Sequence, residues 1–346
     1  MKRIRYIFLT NQYLPTPGAT GVCVHQVAKY MALQGEDVYV VCYGKNQKSG
    51  EVIDGIKVIR VKEPFFIKTQ SCGFIMSFVS RMTSLLLKFI YIKKYPLRSN
   101  LLVRRFVNSV LSLQQQGVDS VIIASYTPLE AVIAAAKCKE KNIASKIIYY
   151  STDTLSNEKG DLGFLSANKR TNLGLKWERK LFALYDRIII MECHKDHYTM
   201  NAFGEFANKI SFASFPLIVK PESSYPVTQR DSYQRIVFAG NLYKKMRNPI
   251  YICGLINSVA RESNLKAIFV GGGDCVEELE RICEASNGII KYVGFKPHSY
   301  VEQELFKADM LLSIGNSFSE MCPSKIYEYM STGKPIIHTY TYEKDP

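Results

Sequence analysis

Glu320 and Glu328 stand eight residues apart in the run Glu320-Met-Cys-Pro-Ser-Lys-Ile-Tyr-Glu328-Tyr-Met-Ser-Thr-Gly333-Lys-Pro335-Ile-Ile337. Pro323 suits a first helical position, where a missing N–H costs nothing. Ser324 to Ser331 reads as a helix, Gly333 as its left-handed cap, and Pro335 as a bar to continuation. Glu328 lies one turn beyond Ser324 and so shares its face, while Glu320 falls in the loop before the helix. Free N–H groups and the dipole at the helix start favour a phosphate. A site with one carboxylate on either side of such an anion fits a sugar carried on a diphosphate.

A second set of polar residues lies upstream, in Gly240-Asn-Leu-Tyr-Lys244-Lys245-Met-Arg247-Asn-Pro249. Three cations directly before a helix suit a diphosphate held by charge-assisted hydrogen bonds, with the planar fork of Arg247 the best direct ligand. The competing reading is a solvated basic turn. Gly18-Ala-Thr-Gly21, also directly before a helix, is either a further anion site or a turn that merely needs glycine. The strand Lys146–Tyr150 ends in Ser151-Thr152-Asp153, and polar residues at that end of a parallel strand line the ligand crevice of open α/β sheets. Asp153 is therefore a candidate base or substrate ligand, with a turn cap as the ordinary alternative. Glu192, His194 and Lys195 follow the strand Arg187–Met191 in the same way, and a lone histidine there is more often structural.

The elements that must position these groups alternate strand and helix along the chain. Ile4–Thr10, Val38–Tyr43, Gly55–Val61, Ser120–Ala124, Lys146–Tyr150 and Arg187–Met191 read as buried strands. Helices are expected at Val22–Gln34, at Leu129–Lys141 and around Trp177, with a loop over Leu155–Asn172. The pattern restarts with strands Arg235–Ala239, Lys266–Val270, Ile289–Val293, Met310–Ser313 and Pro335–Thr339 and helices Pro249–Glu262, Val276–Ala285 and Tyr300–Ala308. This is an α/β chain with parallel sheets. Its 346 residues suffice for two domains. The expected division is 1–215, a linker over 216–230 marked by Pro216, Pro221 and Pro226, and 231–346. The last strand is followed by only seven residues, so the second domain is expected to be incomplete.

Composition narrows the partners. A net charge of +14 calls for anionic ones, unless it serves solubility alone. The nine cysteines include no C-x-x-C pair, which argues for reduced thiols and against a zinc site. No secretory signal follows Lys2, Arg3 and Arg5, and no run reaches the roughly 18 apolar residues of a membrane span. Residues 65–105 instead form a basic, acid-free segment. As a helix it places Phe78, Met82, Leu85, Phe89 and Ile92 on one face, with Arg81 and Lys88 at its margins and Lys93 and Lys94 beyond. Such a helix suits an anionic membrane surface, and the alternative is a core helix with a solvated basic edge.

With these motifs in view, the chain resembles GT-B-fold glycosyltransferases, in particular the glycosyltransferase family 4 group of bacterial polysaccharide, capsule and O-antigen assembly. Glu320 through Ile337 is similar to that family's paired-glutamate motif, Gly240 to Pro249 to its diphosphate loop, and Pro15–Gly35 to its first loop and helix. The resemblance implies two Rossmann-like domains facing across a cleft. It implies a retaining, metal-independent transfer of a sugar from a nucleotide-diphosphate sugar, with no cofactor, to a glycan acceptor, here a lipid-linked one. By position, Glu320 contacts the donor sugar and Glu328 the ribose hydroxyls. Lys244, Lys245, Arg247, Lys325 and the backbone at Pro323 and Ser324 hold the diphosphate, which Gly21 approaches from the first domain. Phe295 and Lys296 cradle the base, and Asp153 takes an acceptor-side position often held by histidine. Met-Cys-Pro-Ser-Lys replaces the Gly-rich apolar stretch of many relatives. The expected location is the cytoplasmic face of a membrane, held peripherally. The alternatives are a sugar-nucleotide epimerase of the same fold, a non-catalytic sugar-binding relative and, lowest, a nucleic-acid-binding protein, because no basic motif with interleaved aromatics is present.

Overall fold

The structure is a computed structural model that describes residues 3–15, 17–44, 50–62, 96–97, 99–156, 166–216, 232–317 and 325–341. The chain divides into two compact units, Met1–Pro216 and Leu217–Pro346.

In the first unit, apolar runs with few polar interruptions form strands covered on both faces, as parallel sheets require. Its strands are β1 (Arg3–Leu9), β2 (Asp37–Gly44), β3 (Glu51–Ile53), β4 (Ile56–Lys62), β5 (Val118–Tyr126), β6 (Lys146–Ser151), β7 (Arg187–Met191) and β8 (Ile210–Ala213). They form one sheet in the order β3-β4-β2-β1-β5-β6-β7-β8, parallel except for the β3–β4 hairpin. Its helices are α1 (Ala19–Leu33), α2 (Asn100–Leu111), α3 (Leu129–Glu140), α4 (Ala167–Leu184) and the single turn α5 (Lys195–Tyr198). Tyr149, Phe182, Tyr185, Tyr198 and Phe203 make the aromatic centre of its core, with edge-to-face and tilted contacts 4.9–5.8 Å between centroids. The strand order reverses between β1 and β5, so the crevice of the open sheet lies at the carboxyl ends of those strands.

The second unit repeats the scheme with β9 (Gln234–Ala239), α6 (Ile250–Val259), β10 (Leu265–Val270), α7 (Val276–Ala285), β11 (Ile290–Tyr292), α8 (His298–Lys307), β12 (Met310–Ile314), α9 (Lys325–Ser331) and β13 (Ile336–Thr339). All its pairings are parallel, in the order β11-β10-β9-β12-β13. Alternate residues of β9 serve the two faces: Ile236 and Phe238 join α6 and α7 through Ile252, Ile256 and Leu279. Val237 and Ala239 join α8 and α9 through Leu305 and Tyr329. Here the order reverses between β9 and β12.

Several expectations are corrected. Helix α1 starts three residues earlier than the apolar pattern suggests, because Gly18 is its N-cap and accepts from Val22 N–H at 3.0 Å. Gly21 therefore lies in the first helical turn rather than in the loop. Helix α4 begins at residue 167, inside the expected loop Leu155–Asn172, its first turns being polar and solvent-facing. The short strands β3 and β8 were not expected, each being an edge too brief to show alternation. The last part of the basic segment 65–105 belongs to α2, which buries Leu102, Val103, Phe106, Val107 and Val110. Phe78, Arg81, Met82, Leu85, Lys88, Phe89, Lys93 and Lys94 lie outside the described residues. Among the described residues seven cysteines are free, and no helix is long and apolar enough to cross a membrane.

Candidate functional site

In the second unit the predicted basic loop follows β9 and is built around glycine. A Cβ on Gly273 would sit 1.8 Å from Leu242 O, so only glycine lets the loops after β9 and β10 run side by side. Asp274 then accepts from Lys244 N–H at 2.7 Å and fixes the turn that presents Lys244 and Lys245 to solvent. Arg247 is half-buried and crosses the switch point. Its Nη2 donates to Asn316 Oδ1, on the loop after β12, at 2.8 Å. Ser317 N–H donates to Met246 O at 2.7 Å and its hydroxyl to Lys245 O, so the two loops that flank the switch point form one piece. The cations thus sit where an open parallel sheet binds its ligand.

Helix α9 is locked under the end of β9 by Tyr329, whose hydroxyl accepts from Ala239 N–H at 2.7 Å. Burial pushes that phenol well above its ordinary value, keeping it neutral. The neighbouring residue, Glu328, is left half-engaged. Lys325, one turn back, donates to Oε2, whereas Oε1 is buried and has no hydrogen-bond partner among the described residues. His298 Nε2, at the start of α8, lies 3.7 Å from Oε1. The helix stops as expected: Gly333 has φ +68° and β13 begins after Pro335. Phe295 is 84 % exposed, and Lys296 beside it has its Nζ 5.8 Å from the Tyr300 ring. Glu320, Pro323 and Ser324 lie outside the described residues.

In the first unit, Gly21 and Asp153 converge at the carboxyl end of the sheet. A Cβ on Gly21 would sit 2.2 Å from Gln12 O, so the glycine admits the chain's own loop against α1. That loop is anchored by Tyr13, whose hydroxyl lies 2.8 Å from His25 Nδ1, while His25 Nε2–H donates to Asp54 at 3.1 Å. Thr20, in the first turn of α1, meets Thr152 hydroxyl to hydroxyl at 2.7 Å, and Thr152 reaches Asp153 Oδ2 at 3.2 Å. His194 Nε2–H donates to Thr152 O at 2.9 Å. Burial raises the Asp153 carboxyl above its ordinary range, with His194 and the Thr152 hydroxyl pulling it partly back.

Sequence reasoning missed Asn316, His298 and Glu178. Asn316 was detectable as a polar residue at the carboxyl end of a parallel strand. His298 and Glu178 carry no such signal, because only tertiary packing brings them to their partners.

Two parallel sheets, each reversing its strand order and each presenting its polar loops at the carboxyl ends, define the GT-B glycosyltransferase fold. Residues 233–344 match the family model described as glycosyl transferases group 1. Among solved structures, the lipopolysaccharide outer core galactosyltransferase WaaB in its apo form is 14 % identical, over 99 % of this chain and 82 % of that one, with TM-score 0.52. The Anabaena protein Alr3699/HepE in complex with UDP-glucose is 15 % identical, over 96 % and 80 %, with TM-score 0.53. An α,α-trehalose-phosphate synthase (UDP-forming) from Burkholderia xenovorans in complex with glucose-6-phosphate is 14 % identical, over 96 % and 84 %, with TM-score 0.59. At these identities the likeness is one of fold. No curated protein sequence matches the chain.

Proposed function

We propose that the protein is a retaining glycosyltransferase that moves a sugar from a nucleotide-diphosphate sugar to a glycan acceptor, a lipid-linked one in cell-surface polysaccharide synthesis. The observation that carries this reading is the state of Glu328. A buried carboxylate oxygen with no hydrogen-bond partner is costly unless a ligand hydroxyl completes it. It lies in the same unit as Arg247, Lys244 and Lys245, and that unit is the one matched by the glycosyltransferase family model. Ribose hydroxyls would donate to Oε1 while Arg247 and the lysines receive the diphosphate. As the bond between the sugar's anomeric carbon and the phosphate oxygen breaks, negative charge grows on the leaving diphosphate. Cations fixed at that point stabilise the transition state more than the ground state. Glu320 would steady the positive charge on the sugar, and Phe295 and Lys296 would flank the base. In the first unit Asp153 would face the acceptor. No metal is assigned a role.

The first test is a thermal-shift and calorimetric screen of nucleoside diphosphates and nucleotide sugars, with E328A alongside. At about a hundred times its dissociation constant a true ligand adds roughly 2.7 kcal/mol of stability. A screen in which no nucleotide shifts the wild-type protein would refute the donor site. For transfer, near wild-type turnover in E320A would remove Glu320 from the chemistry. The segment Phe78–Lys94 is proposed to dock on anionic lipid. Unchanged cosedimentation with phosphatidylserine vesicles after Arg81, Lys88, Lys93 and Lys94 are all replaced by Glu would overturn that.

A further inference from the structure

Glu178, on the inner face of α4, is fully buried; among the described residues no Lys or Arg side chain pairs with it, and His197 Nε2 lies 4.0 Å from its Oε2. Its carboxylate is held by donors instead. Leu155 N–H donates to Oε1 at 2.9 Å, the Tyr198 hydroxyl to Oε1 at 2.6 Å, and the Ser156 hydroxyl to Oε2. Because Ser156 gives its only proton to the carboxylate, the 2.8 Å contact between its Oγ and His197 Nε2 has the imidazole N–H as donor. Serine, histidine and glutamate in mutual reach suggest a hydrolytic triad, but two facts exclude it. The serine is 1 % exposed, and the carboxylate sits on the serine rather than on the far ring nitrogen.

What Glu178 does hold is the loop after β6. Two of its three donors are Leu155 and Ser156, directly beyond Asp153. Gly174, one turn earlier on α4, lies so close that a Cβ there would be 2.5 Å from Ser156 Cα and 2.7 Å from Leu155 O. On the other side of Asp153, Ser151 donates to the Asp153 carbonyl, and Thr152 is tied to Thr20 and to His194. The backbone of Asp153 is thus pinned from both directions, by α1 and the turn after β7 on one side and by α4 on the other. Buried charge is expensive, so a carboxylate spent on Leu155 and Ser156 implies that the position of this stretch matters.

We infer that Glu178 is a positioning residue that fixes the Asp153 loop against α4, and so sets the placement of the acceptor-side carboxyl. The inference rests on the reading of Asp153 as an acceptor-side group, and its test separates the two. The groups that face Asp153 are His194 after β7, Thr152 and Tyr149 on its own side of the sheet, and Cys23 on α1. None of these is Glu178, but Tyr149 faces both carboxyls, so S156A, which keeps the Glu178 charge, reads the path through the loop separately from that charge.

The experiment follows the Asp153 carboxyl by 13C NMR titration, assigned by its loss in D153N, in the full chain. In E178Q and S156A the loop loosens, water reaches Asp153, and its titration moves down toward the ordinary carboxylate range. Y198F removes a hydrogen bond from the same carboxylate without touching the loop, and leaves the Asp153 titration unchanged. If E178Q and S156A leave it unchanged while folded, or if Y198F moves it as far as they do, the inference is overturned. The catalytic consequence is read separately. Turnover with the nucleotide sugar found by the screen falls about a hundredfold in E178Q, the effect of a displacement near 1 Å, at unchanged donor KM, and recovers in part in E178D. Full turnover in D153N, with the titrations as expected, would remove Asp153 from the chemistry while leaving Glu178 as the group that places it.

Discussion

Around Asp153 in the first unit the polar atoms of the loop are nearly all engaged: Ser151, Thr152, Leu155 and Ser156 each have a partner within the protein. Around Glu328 in the second unit one buried carboxylate oxygen lacks a hydrogen-bond partner among the described residues, two lysines point into solvent and Phe295 stands 84 % exposed. Charge is divided as unevenly. Residues 1–216 hold 30 Lys and Arg against 16 Asp and Glu, whereas residues 217–346 hold 15 of each. The whole net charge of +14 therefore belongs to the first unit. A wired loop keeps its geometry with or without ligand, while an open one relies on ligand to complete it. On the proposed function, the neutral unit would attract its anion by a few placed groups and the basic unit by its field, which salt screens within about 8–10 Å.

The comparison breaks first where wiring is cut. Asp37, at the start of β2, is buried between Arg5 at 2.8 Å and Lys57 at 2.8 Å. Asp37→Ala leaves the buried Arg5 without its carboxylate and should destabilise the chain by about 3–5 kcal/mol. The denaturant midpoint should fall, with nucleotide affinity of the surviving folded protein unchanged. A loss of affinity without loss of stability would mean that the two units do not divide the work as described. Next in size is Glu328→Ala, with the opposite signature. Nucleotide binding should weaken by about 1.5–3 kcal/mol, the worth of a hydrogen bond to a charged group, or roughly ten- to a hundredfold. Stability should fall by no more than about 0.5–1 kcal/mol, since the change removes only the partly exposed contacts to Lys325 and His298.

The same contrast governs what could be read from the residues alone. Strands β5, β6, β7, β9 and β10 were legible because apolar runs bounded by Gly and polar clusters admit few other folds. The cations at 244–247 and the Gly333 stop were legible because local rules place them: charge before a helix, glycine after one. The positioning groups were hidden. Glu178 looked like one more polar residue among Lys176, Arg179 and Lys180, and only the packing of α4 turns it inward. Asn316 and His298 belong to their site because the strand order brings separate loops together. Local pattern finds groups placed by their neighbours in sequence; groups aimed at the protein need the tertiary structure.

A change in pH tests the wiring without cutting it. The raised Asp153 carboxyl binds its proton more tightly in the folded state than in the unfolded one. Its contribution to stability is therefore fully present below the ordinary carboxylate value and is lost as pH rises through the folded one. Asp153→Asn removes the cost, so the variant should be more stable than wild type at pH 7, and the gain should vanish near pH 3. Asp37 runs the other way. Burial alone would raise it, but hydrogen bonds from Lys57 and Arg5 outweigh burial and lower it, so its stabilisation is present at neutral pH and lost on acidification. Thermal melts of D153N and wild type across that range should converge at low pH; a constant difference would mean that the Asp153 carboxyl is not raised.

The smallest effect is a gain, and it concerns two glycines inside helices. Gly21 has Gln12 O only 2.2 Å from its missing Cβ, whereas nothing lies within 4 Å of the same point on Gly254 in α6. Gly254 faces solvent beside Tyr251 and Leu255, which are 76 % and 47 % exposed. Alanine at 254 adds no clash and reduces the backbone freedom of the unfolded chain, so the chain should gain about 0.5–1 kcal/mol. Alanine at 21 must push the loop at Gln12 away from α1 and should be destabilising, with Thr20 and its contact to Thr152 moving as well. A paired denaturant titration reads both signs. Equal and small effects at the two positions would mean that the loop before α1 yields as easily as open solvent, and the first unit would then lose its claim to a fixed site.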